Sequence, residues 1–99
     1  MITKTQPTVA YFCMEYALEN RFRIYAGGLG ILAGDYLKGA KDYGYPVVGV
    51  GIKWKQGYTE QYIDQQGAPY DTYVNHEYNF LEDTGVQVSV TIRERVVRC

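Results

Sequence analysis

The order of hydrophobic patterns in the first half of the chain constrains the fold more than any other feature. Residues 8–14 form a mainly apolar run, and residues 47–52 form a second one, as is typical of strands buried on both faces. Between the runs, apolar residues recur at helical spacing, at Leu29, Leu32, Ala33, Tyr36, Leu37, Ala40 and Tyr43. Gly44 and Pro46 then provide a helix stop signal. This order predicts a βαβ unit with parallel strands near 8–14 and 47–52 and a helix near 28–43.

The second half of the chain has a different character. Residues 53–58 and 58–63 resemble strand pieces around a glycine, and residues 64–67 are typical of a turn. No period is evident in residues 68–85, whereas residues 86–92 alternate apolar and polar, as in a half-exposed antiparallel strand. We therefore expect an α/β fold in a single partial domain, with the βαβ unit in residues 1–52 and a β-rich extension in residues 53–99.

Composition and charge exclude several classes of protein. Ten basic and eleven acidic side chains in 99 residues leave a formal charge of −1, which argues against a basic surface for nucleic acid or anionic membrane. No apolar stretch approaches the roughly 18 residues of a membrane helix, and residues 1–8 lack the apolar core of a signal peptide. Cys13 and Cys99 give neither a disulfide framework nor metal-ligand spacing. We expect a soluble, cytoplasmic chain without a metal.

The strongest local signal is the glycine loop, Gly27-Gly28-Leu29-Gly30, at the start of the predicted helix. A long polar loop, residues 15–26, leads into it, and such loops follow parallel strands where α/β proteins keep their sites. Free amides and the helix dipole favour an anion at this position. The spacing is neither GxGxxG nor that of a phosphate-binding P-loop. A tight turn that needs positive φ, with close helix–sheet packing, explains the same glycines.

Three blocks, in order, resemble the N-terminal segment of α-glucan (glycogen, starch, maltodextrin) phosphorylases of the short microbial type. They are residues 9–16 (VAYFCMEY), residues 24–38 (IYAGGLGILAGDYLK), and residues 46–51 (PVVGVG) with residues 56–58 (QGY). The family usually has Ser at the position of Cys13. Residues 63–85 match less well, and residues 86–97 only suggest the following strand of the family.

The resemblance implies a glycosyltransferase of the B architecture, of whose N-terminal domain this chain would be an incomplete Rossmann-like fragment. Such enzymes move a glucosyl unit between an α-1,4-glucan and inorganic phosphate, producing glucose 1-phosphate, and they use pyridoxal phosphate as cofactor. By resemblance, Gly27 and Gly28 would offer backbone amides to phosphate, Leu29 would line the glucose pocket, and Glu15 would sit near the same pocket.

The cofactor lysine of the family lies in its C-terminal domain, and none of the lysines here matches its position. They stand at positions 4, 38, 41, 53 and 55. The resemblance therefore assigns no catalytic or cofactor-binding residue to this segment, and we expect no bound cofactor and no activity from the chain alone.

Two alternative functions stay open. A starch or glycogen synthase-type enzyme has lysine in the pattern Lys-x-Gly-Gly-Leu, but Tyr25 occupies that position here. A non-catalytic fragment that binds carbohydrate or phosphate is the other alternative. Since one helix cannot cover a two-stranded sheet, exposed strand edges predict self-association.

The remaining candidate residues have simpler interpretations. We expect His76 to be a solvated loop histidine and Cys13 to be a small packed residue. Packing is also favoured for Tyr58, Tyr62, Tyr70, Tyr73 and Tyr78 over stacking on sugar rings. We expect residues 93–95 to be a solvated strand end. Gly49 and Gly51 alternate on one face of the second predicted strand, and we expect the helix to pack closely on that face because it has no side chains there.

Overall fold

The computed structural model describes residues 7–99, so that Lys4 and most of the stretch considered for a signal peptide lie outside the described residues. The elements, in chain order, are β1 (Val9–Phe12), α1 (Gly28–Asp42), β2 (Val47–Val50), β3 (Glu60–Ile63), β4 (Pro69–Thr72), β5 (Ser89–Ile92) and β6 (Arg95–Arg98).

The βαβ unit predicted from the first half of the chain is present. Strand β1 pairs in parallel with β2, so that Val9 lies opposite Val47 and Phe12 lies opposite Val50. Helix α1 connects the two strands and packs against β2. The α/β fold class is therefore confirmed, with strands slightly shorter than the apolar runs that predicted them.

The end of α1 follows its stop signal. Gly44 adopts a positive φ of 71°, and its amide donates to the carbonyl oxygen of Lys41 at 3.0 Å. The amide of Tyr45 donates to the carbonyl oxygen of Ala40 at 2.8 Å. These two bonds form a Schellman motif. The helix ends there because the motif needs a residue with positive φ, which glycine adopts without steric cost.

The buried face of α1 differs from the apolar stripe in the sequence. The helix residues that are buried are Gly30, Ala33 and Gly34, whereas the side chains of the predicted stripe that remain exposed are Leu29, Leu32, Tyr36 and Tyr43. Glycine allows the loop after β1 to approach the helix closely, and the amide of Ala17 donates to the carbonyl oxygen of Gly30 at 2.9 Å. This backbone contact turns the glycine side of the helix inward.

The apolar runs predicted that β1 and β2 would each be buried on both faces, and this prediction was wrong. Val9 is 49% exposed, Phe12 is 75% exposed and Val50 is 40% exposed. Within residues 7–99 the sheet has only two strands and one helix packed on it, so much of its apolar surface is left uncovered. The predicted open edges are thus a consequence of the element count.

The second half forms two antiparallel hairpins, β3–β4 and β5–β6. The predicted turn at residues 64–67 is confirmed, because the Asp64 carboxylate accepts hydrogen bonds from the amides of Gln66 and Ala68 at 2.9 and 2.8 Å. Residues 53–58 form no strand, and β4 was missed because it begins at Pro69, which breaks the sequence pattern of a strand.

Residues 93–95 are a turn and a strand start rather than a solvated strand end. Arg93, with a φ of 48°, and Glu94 connect β5 to β6, whose first residue is Arg95. The strand expected at residues 86–92 is present as β5, but both of its faces are exposed. No apolar layer covers the hairpin among the described residues.

The hydrophobic core of the described chain is small. It consists of Tyr16, Ile24 and Ala33, with side chains such as Leu37 and Trp54 packed around them. The radius of gyration is 17.5 Å, against about 13 Å for a compact domain of this length. Residues 7–99 also include no helix long and apolar enough to cross a bilayer.

Candidate functional site

The glycine loop, residues 27–30, follows the long loop after β1 and forms the N-cap and the first turn of α1. Gly27 is the N-cap residue of the helix, with extended backbone angles of φ −153° and ψ −159°. It offers no side chain to the helix amides, and the first turn contains no acidic residue. The unpaired amides at the start of α1 therefore need partners from elsewhere in the chain.

Glu15 supplies that partner from the loop after β1. Its Oε2 atom accepts hydrogen bonds from three backbone amides. These amides belong to Ala26 at 3.2 Å, Gly27 at 3.3 Å and Gly30 at 3.0 Å. Its Oε1 atom accepts a hydrogen bond from the hydroxyl of Tyr58 at 2.9 Å. The carboxylate caps α1 across 15 residues of sequence, although only 6% of Glu15 is exposed.

The charge of Glu15 is stabilised by these contacts. Burial acts to raise the pKa of its carboxyl, but the bonds from the Ala26 amide, the Tyr58 hydroxyl and the other two amides outweigh it. The pKa of Glu15 is therefore lowered from its ordinary value of 4.5. The same bond raises the pKa of Tyr58, chiefly because its hydroxyl donates to the carboxylate. Both shifts keep the proton on the tyrosine and the negative charge on Glu15.

Gly27 and Gly28 leave the approach to the helix start open. A Cβ atom built on either residue would meet nothing within 4 Å, and neither residue has positive φ. A turn that requires positive φ is therefore not the reason for these two glycines. Among residues 7–99, no acceptor is recorded for the amides of Gly28 and Leu29, and Leu29 is 50% exposed. These two amides are the donors that remain for a ligand.

Gly30 of the glycine loop and Gly34, one turn further along α1, have a packing role. A Cβ atom on Gly30 would lie 2.6 Å from Glu15 Oε2 and 2.6 Å from Tyr25 Cβ. A Cβ atom on Gly34 would lie 2.1 Å from the carbonyl oxygen of Ala17. These glycines therefore divide into an open pair, Gly27 and Gly28, and a packed pair, Gly30 and Gly34, and close packing explains only the second pair.

Residues 53–58 attach the glycine loop to the second half of the chain. The indole Nε1 of Trp54 donates to the carbonyl oxygen of Met14 at 3.1 Å, next to Glu15. Tyr58 reaches the carboxylate itself, although sequence reasoning assigned it only to packing. The sequence contained one signal for this role: Gln56-Gly57-Tyr58 is part of the third block of the phosphorylase resemblance.

The remaining tyrosines pack on neighbouring aromatic rings or face solvent. Tyr62 and Tyr70 are cross-strand partners whose rings stack at 5.9 Å. Tyr78 packs edge-on against Phe22 at 4.9 Å, as the packing interpretation expected, whereas Tyr73 is 62% exposed. Within residues 7–99, the hydroxyl of Tyr62 bonds Glu60 and that of Tyr78 bonds the Arg23 amide, and none of the four hydroxyls bonds the glycine loop.

His76 is more enclosed than a solvated loop histidine. Its side chain is 16% exposed, its Nε2 atom lies 3.9 Å from Glu60 Oε1, and its ring stacks on Tyr78 at 6.1 Å. The cause is a backbone bond of 2.9 Å from the His76 amide to the carbonyl oxygen of Lys55. The structure places His76 beside this carboxylate, in a cluster separate from the glycine loop.

The other candidates behave as packing residues. Cys13 packs against the core, as expected of a small packed residue. A Cβ atom on Gly49 would lie 2.6 Å from Leu37 Cδ1, which confirms close packing of the helix on β2. A Cβ atom on Gly51 would instead lie 3.1 Å from Cε2 of the Tyr16 ring. No cluster of His, Cys, Asp and Glu able to hold a metal occurs in the part of the chain that the structure describes.

Comparisons with known proteins find relatives that are named phosphorylases. A maltodextrin phosphorylase of Thermococcus litoralis is 45% identical over 76 residues, 77% of this chain. A glycogen phosphorylase of Mycobacterium tuberculosis is 43% identical over 65 residues, 66% of this chain. The chain is homologous to a segment of the α-glucan phosphorylases. The resemblance identified from the sequence is thereby confirmed.

The homology covers a small part of each relative. The chain spans 9% of the Thermococcus protein and 8% of the Mycobacterium protein. An uncharacterized protein of Methanocaldococcus jannaschii is 46% identical over 92 residues, which are 93% of this chain and 18% of that protein. No family model matches the chain. No solved structure matches it either.

Proposed function

We propose that this chain is the N-terminal segment of an α-glucan phosphorylase-type glycosyltransferase. The enzyme would transfer a glucosyl unit from an α-1,4-glucan to inorganic phosphate and release glucose 1-phosphate. One observation carries the proposal: the amides of Gly28 and Leu29 stand uncovered at the start of α1, in a chain homologous to phosphorylases.

The glycine loop supplies half of a substrate site in this proposal. Gly27 and Gly28 have no side chains to obstruct an anion, and the Gly28 and Leu29 amides point from the positive end of the helix dipole. The half-exposed side chain of Leu29 is the apolar wall of the glucose pocket. Glu15 lies directly beneath, bonded to the amides on either side of these donors.

The fold supports the placement in a larger α/β domain. Residues 1–52 would form an incomplete Rossmann-like unit of a glycosyltransferase-B N-terminal domain, and residues 53–99 would form its β-rich extension. The parallel pairing of β1 and β2 around α1, together with the uncovered apolar surface of this sheet, fits such a fragment. A cytoplasmic location is part of the same proposal.

Pyridoxal phosphate, the cofactor implied by the family, does not fit the described residues of this chain. A lysine that forms a Schiff base needs an enclosed site that lowers its pKa. The side chains of Lys38, Lys41, Lys53 and Lys55 are all exposed. The proposal therefore assigns the cofactor to a different part of the intact enzyme.

The chain alone would be inactive. The glycine loop faces solvent at Gly27, Gly28 and Leu29, and a half-open site does not exclude water from a reacting phosphate. Closure of the cleft would come from a second domain of the intact enzyme.

An assay of the natural protein that contains this chain tests the proposal. The purified protein is incubated with maltodextrin and inorganic phosphate, and glucose 1-phosphate is measured; a parallel assay supplies maltodextrin and a nucleotide sugar. We expect product only in the first assay, since Tyr25 replaces the lysine of the synthase pattern. Glucan elongation from the nucleotide sugar, or no product in either assay, would overturn it.

A further inference from the structure

The Glu15 carboxylate accepts four hydrogen bonds from groups of this chain. One oxygen accepts the amides of Ala26, Gly27 and Gly30, and the other accepts the hydroxyl of Tyr58. A carboxylate that serves as a substrate ligand or proton donor needs a lone pair or a proton directed at the substrate. In Glu15, Oε2 is instead directed at backbone amides on both sides of the exposed pair, and Oε1 is directed at the Tyr58 hydroxyl.

We infer that Glu15 is a positioning residue that holds the amides of Gly28 and Leu29 toward the substrate, and that Tyr58 fixes Glu15 from the β-rich half. This inference deepens the proposed function and rests on it. Its geometric basis is that the carboxylate bonds to Gly27 and Gly30, which bracket the two uncovered amides in sequence.

The packing around Glu15 leaves its side chain little freedom. A Cβ atom on Gly30 would lie 2.6 Å from Oε2, so the helix backbone closes directly over the carboxylate. Only 6% of Glu15 is exposed. Charge-assisted hydrogen bonds are stronger than neutral ones, and the ionised state of Glu15 is maintained by the amides and by Tyr58. The loop is thereby held in one arrangement before any ligand binds.

Tyr58 extends this support to the second half of the chain. Its hydroxyl donates to Oε1 at 2.9 Å, across 43 residues of sequence. Trp54, four positions earlier, bonds the carbonyl oxygen of Met14 and so fixes the segment beside Glu15. Residues 53–58 therefore join the β-rich half to Met14 and Glu15, and of these two bonds only that of the Tyr58 hydroxyl reaches the carboxylate.

A set of three variants of the natural protein tests the role of Glu15. We expect Glu15→Ala to lower kcat/KM for phosphorolysis at least a hundredfold, because three amides lose their acceptor. The kcat/KM of Glu15→Gln should be at least tenfold higher than that of Glu15→Ala, since the glutamine amide oxygen still accepts hydrogen bonds from the backbone. Tyr58→Phe should lower kcat/KM about threefold to tenfold. Tyr62→Phe is the matched control, because its hydroxyl bonds the Glu60 carboxylate at 3.0 Å on the exposed hairpin, and we expect no change.

The pH profile separates positioning from direct catalysis. If Glu15 only positions the amides, the acidic and basic limbs of the kcat/KM profile should fall at the same pH values in Glu15→Gln and in the wild type. Equal losses in the Ala and Gln variants, with one limb removed, would make Glu15 a catalytic acid or base and overturn the inference. A lower melting temperature with unchanged kinetics in the folded fraction would also overturn it.

Amide hydrogen exchange measured by NMR tests the inference even if the protein does not phosphorolyse glucans. We expect the Gly27 and Gly30 amides to exchange at least tenfold faster in Glu15→Ala and a few-fold faster in Tyr58→Phe, with no change in Tyr62→Phe. Unchanged exchange in Glu15→Ala would refute the positioning role. Absent phosphorolysis together with the expected exchange would refute the proposed function alone.

Discussion

Gly34 lies so close to the loop after β1 that a Cβ atom on it would stand 2.1 Å from the carbonyl oxygen of Ala17. The neighbouring contact, a 2.9 Å bond from the Ala17 amide to the carbonyl oxygen of Gly30, fixes this approach. The backbone of the loop, rather than apolar side chains, therefore sets the distance between the loop and α1.

Gly34→Ala should destabilise the protein. The new methyl group would meet backbone rather than a flexible side chain, and overpacking of this kind costs about 1–3 kcal/mol in the free energy of unfolding. Gly39→Ala is the matched control, because it lies in the same helix with nothing within 4 Å of its Cβ position. It should stabilise by about 0.5–1 kcal/mol. Thermal unfolding of both variants checks the pair, and equal effects would contradict the close approach at Gly34.

Gly28→Ala should reduce turnover without reducing stability. Its Cβ position is open and its φ is not positive, so the methyl group strains nothing in the chain. The methyl group would obstruct an anion at the helix amides, and one lost contact to an anion is worth roughly 1.5–3 kcal/mol. We expect kcat/KM for phosphate to fall on the order of tenfold to a hundredfold, with Gly39→Ala again as the control. Unchanged kinetics with a lower melting temperature would assign Gly28 to the scaffold.

Stability should decrease in acid through Glu15. Its pKa is lowered from 4.5 in the folded chain, so its ionised form contributes stability fully above the ordinary pKa. That contribution is lost as the pH falls through the lowered value. The single tryptophan, Trp54, bonds the residue before Glu15, and its fluorescence should follow this change below about pH 4.5. Glu15→Gln should show a flatter dependence in that range, and identical curves would refute the assignment.

The 99-residue chain by itself should neither bind pyridoxal phosphate covalently nor phosphorolyse maltodextrin. Its described lysines are exposed, and its glycine loop is open to solvent. Borohydride reduction followed by mass measurement, and an assay for glucose 1-phosphate, check both statements. A reduced adduct on this chain, or product above background, would be the contrary result.

The same chain should self-associate through its uncovered apolar surface. A groove of about 570 Å³ beside α1 is lined by Val9, Tyr36 and Tyr43, among others, and Tyr43 is 79% exposed. Exposed apolar patches and strand edges favour association. Sedimentation velocity over a dilution series should show larger species at higher concentration, with fewer in Tyr43→Lys. A monomer at all concentrations would refute this expectation.

The sequence alone determined the order of elements in the first half. Apolar runs at residues 8–14 and 47–52, the helical spacing between them and the stop signal at Gly44 are local patterns, and local patterns are set by backbone geometry. The parallel pairing of β1 with β2 and the Schellman motif after α1 follow from them. The phosphorylase resemblance was also available from three blocks of residues.

Only the tertiary structure decided how the glycine loop is built. The phosphorylase resemblance placed Glu15 near the glucose pocket, but the bonds of Glu15 to Ala26, Gly27 and Gly30 depend on the path of a 12-residue connection that has no periodic pattern. The role of Tyr58 depends on a contact across 43 residues. Such contacts join groups that are far apart in the sequence, so no local preference encodes them. For the same reason, the division into two open and two packed glycines became visible only when the neighbours of each residue were in place.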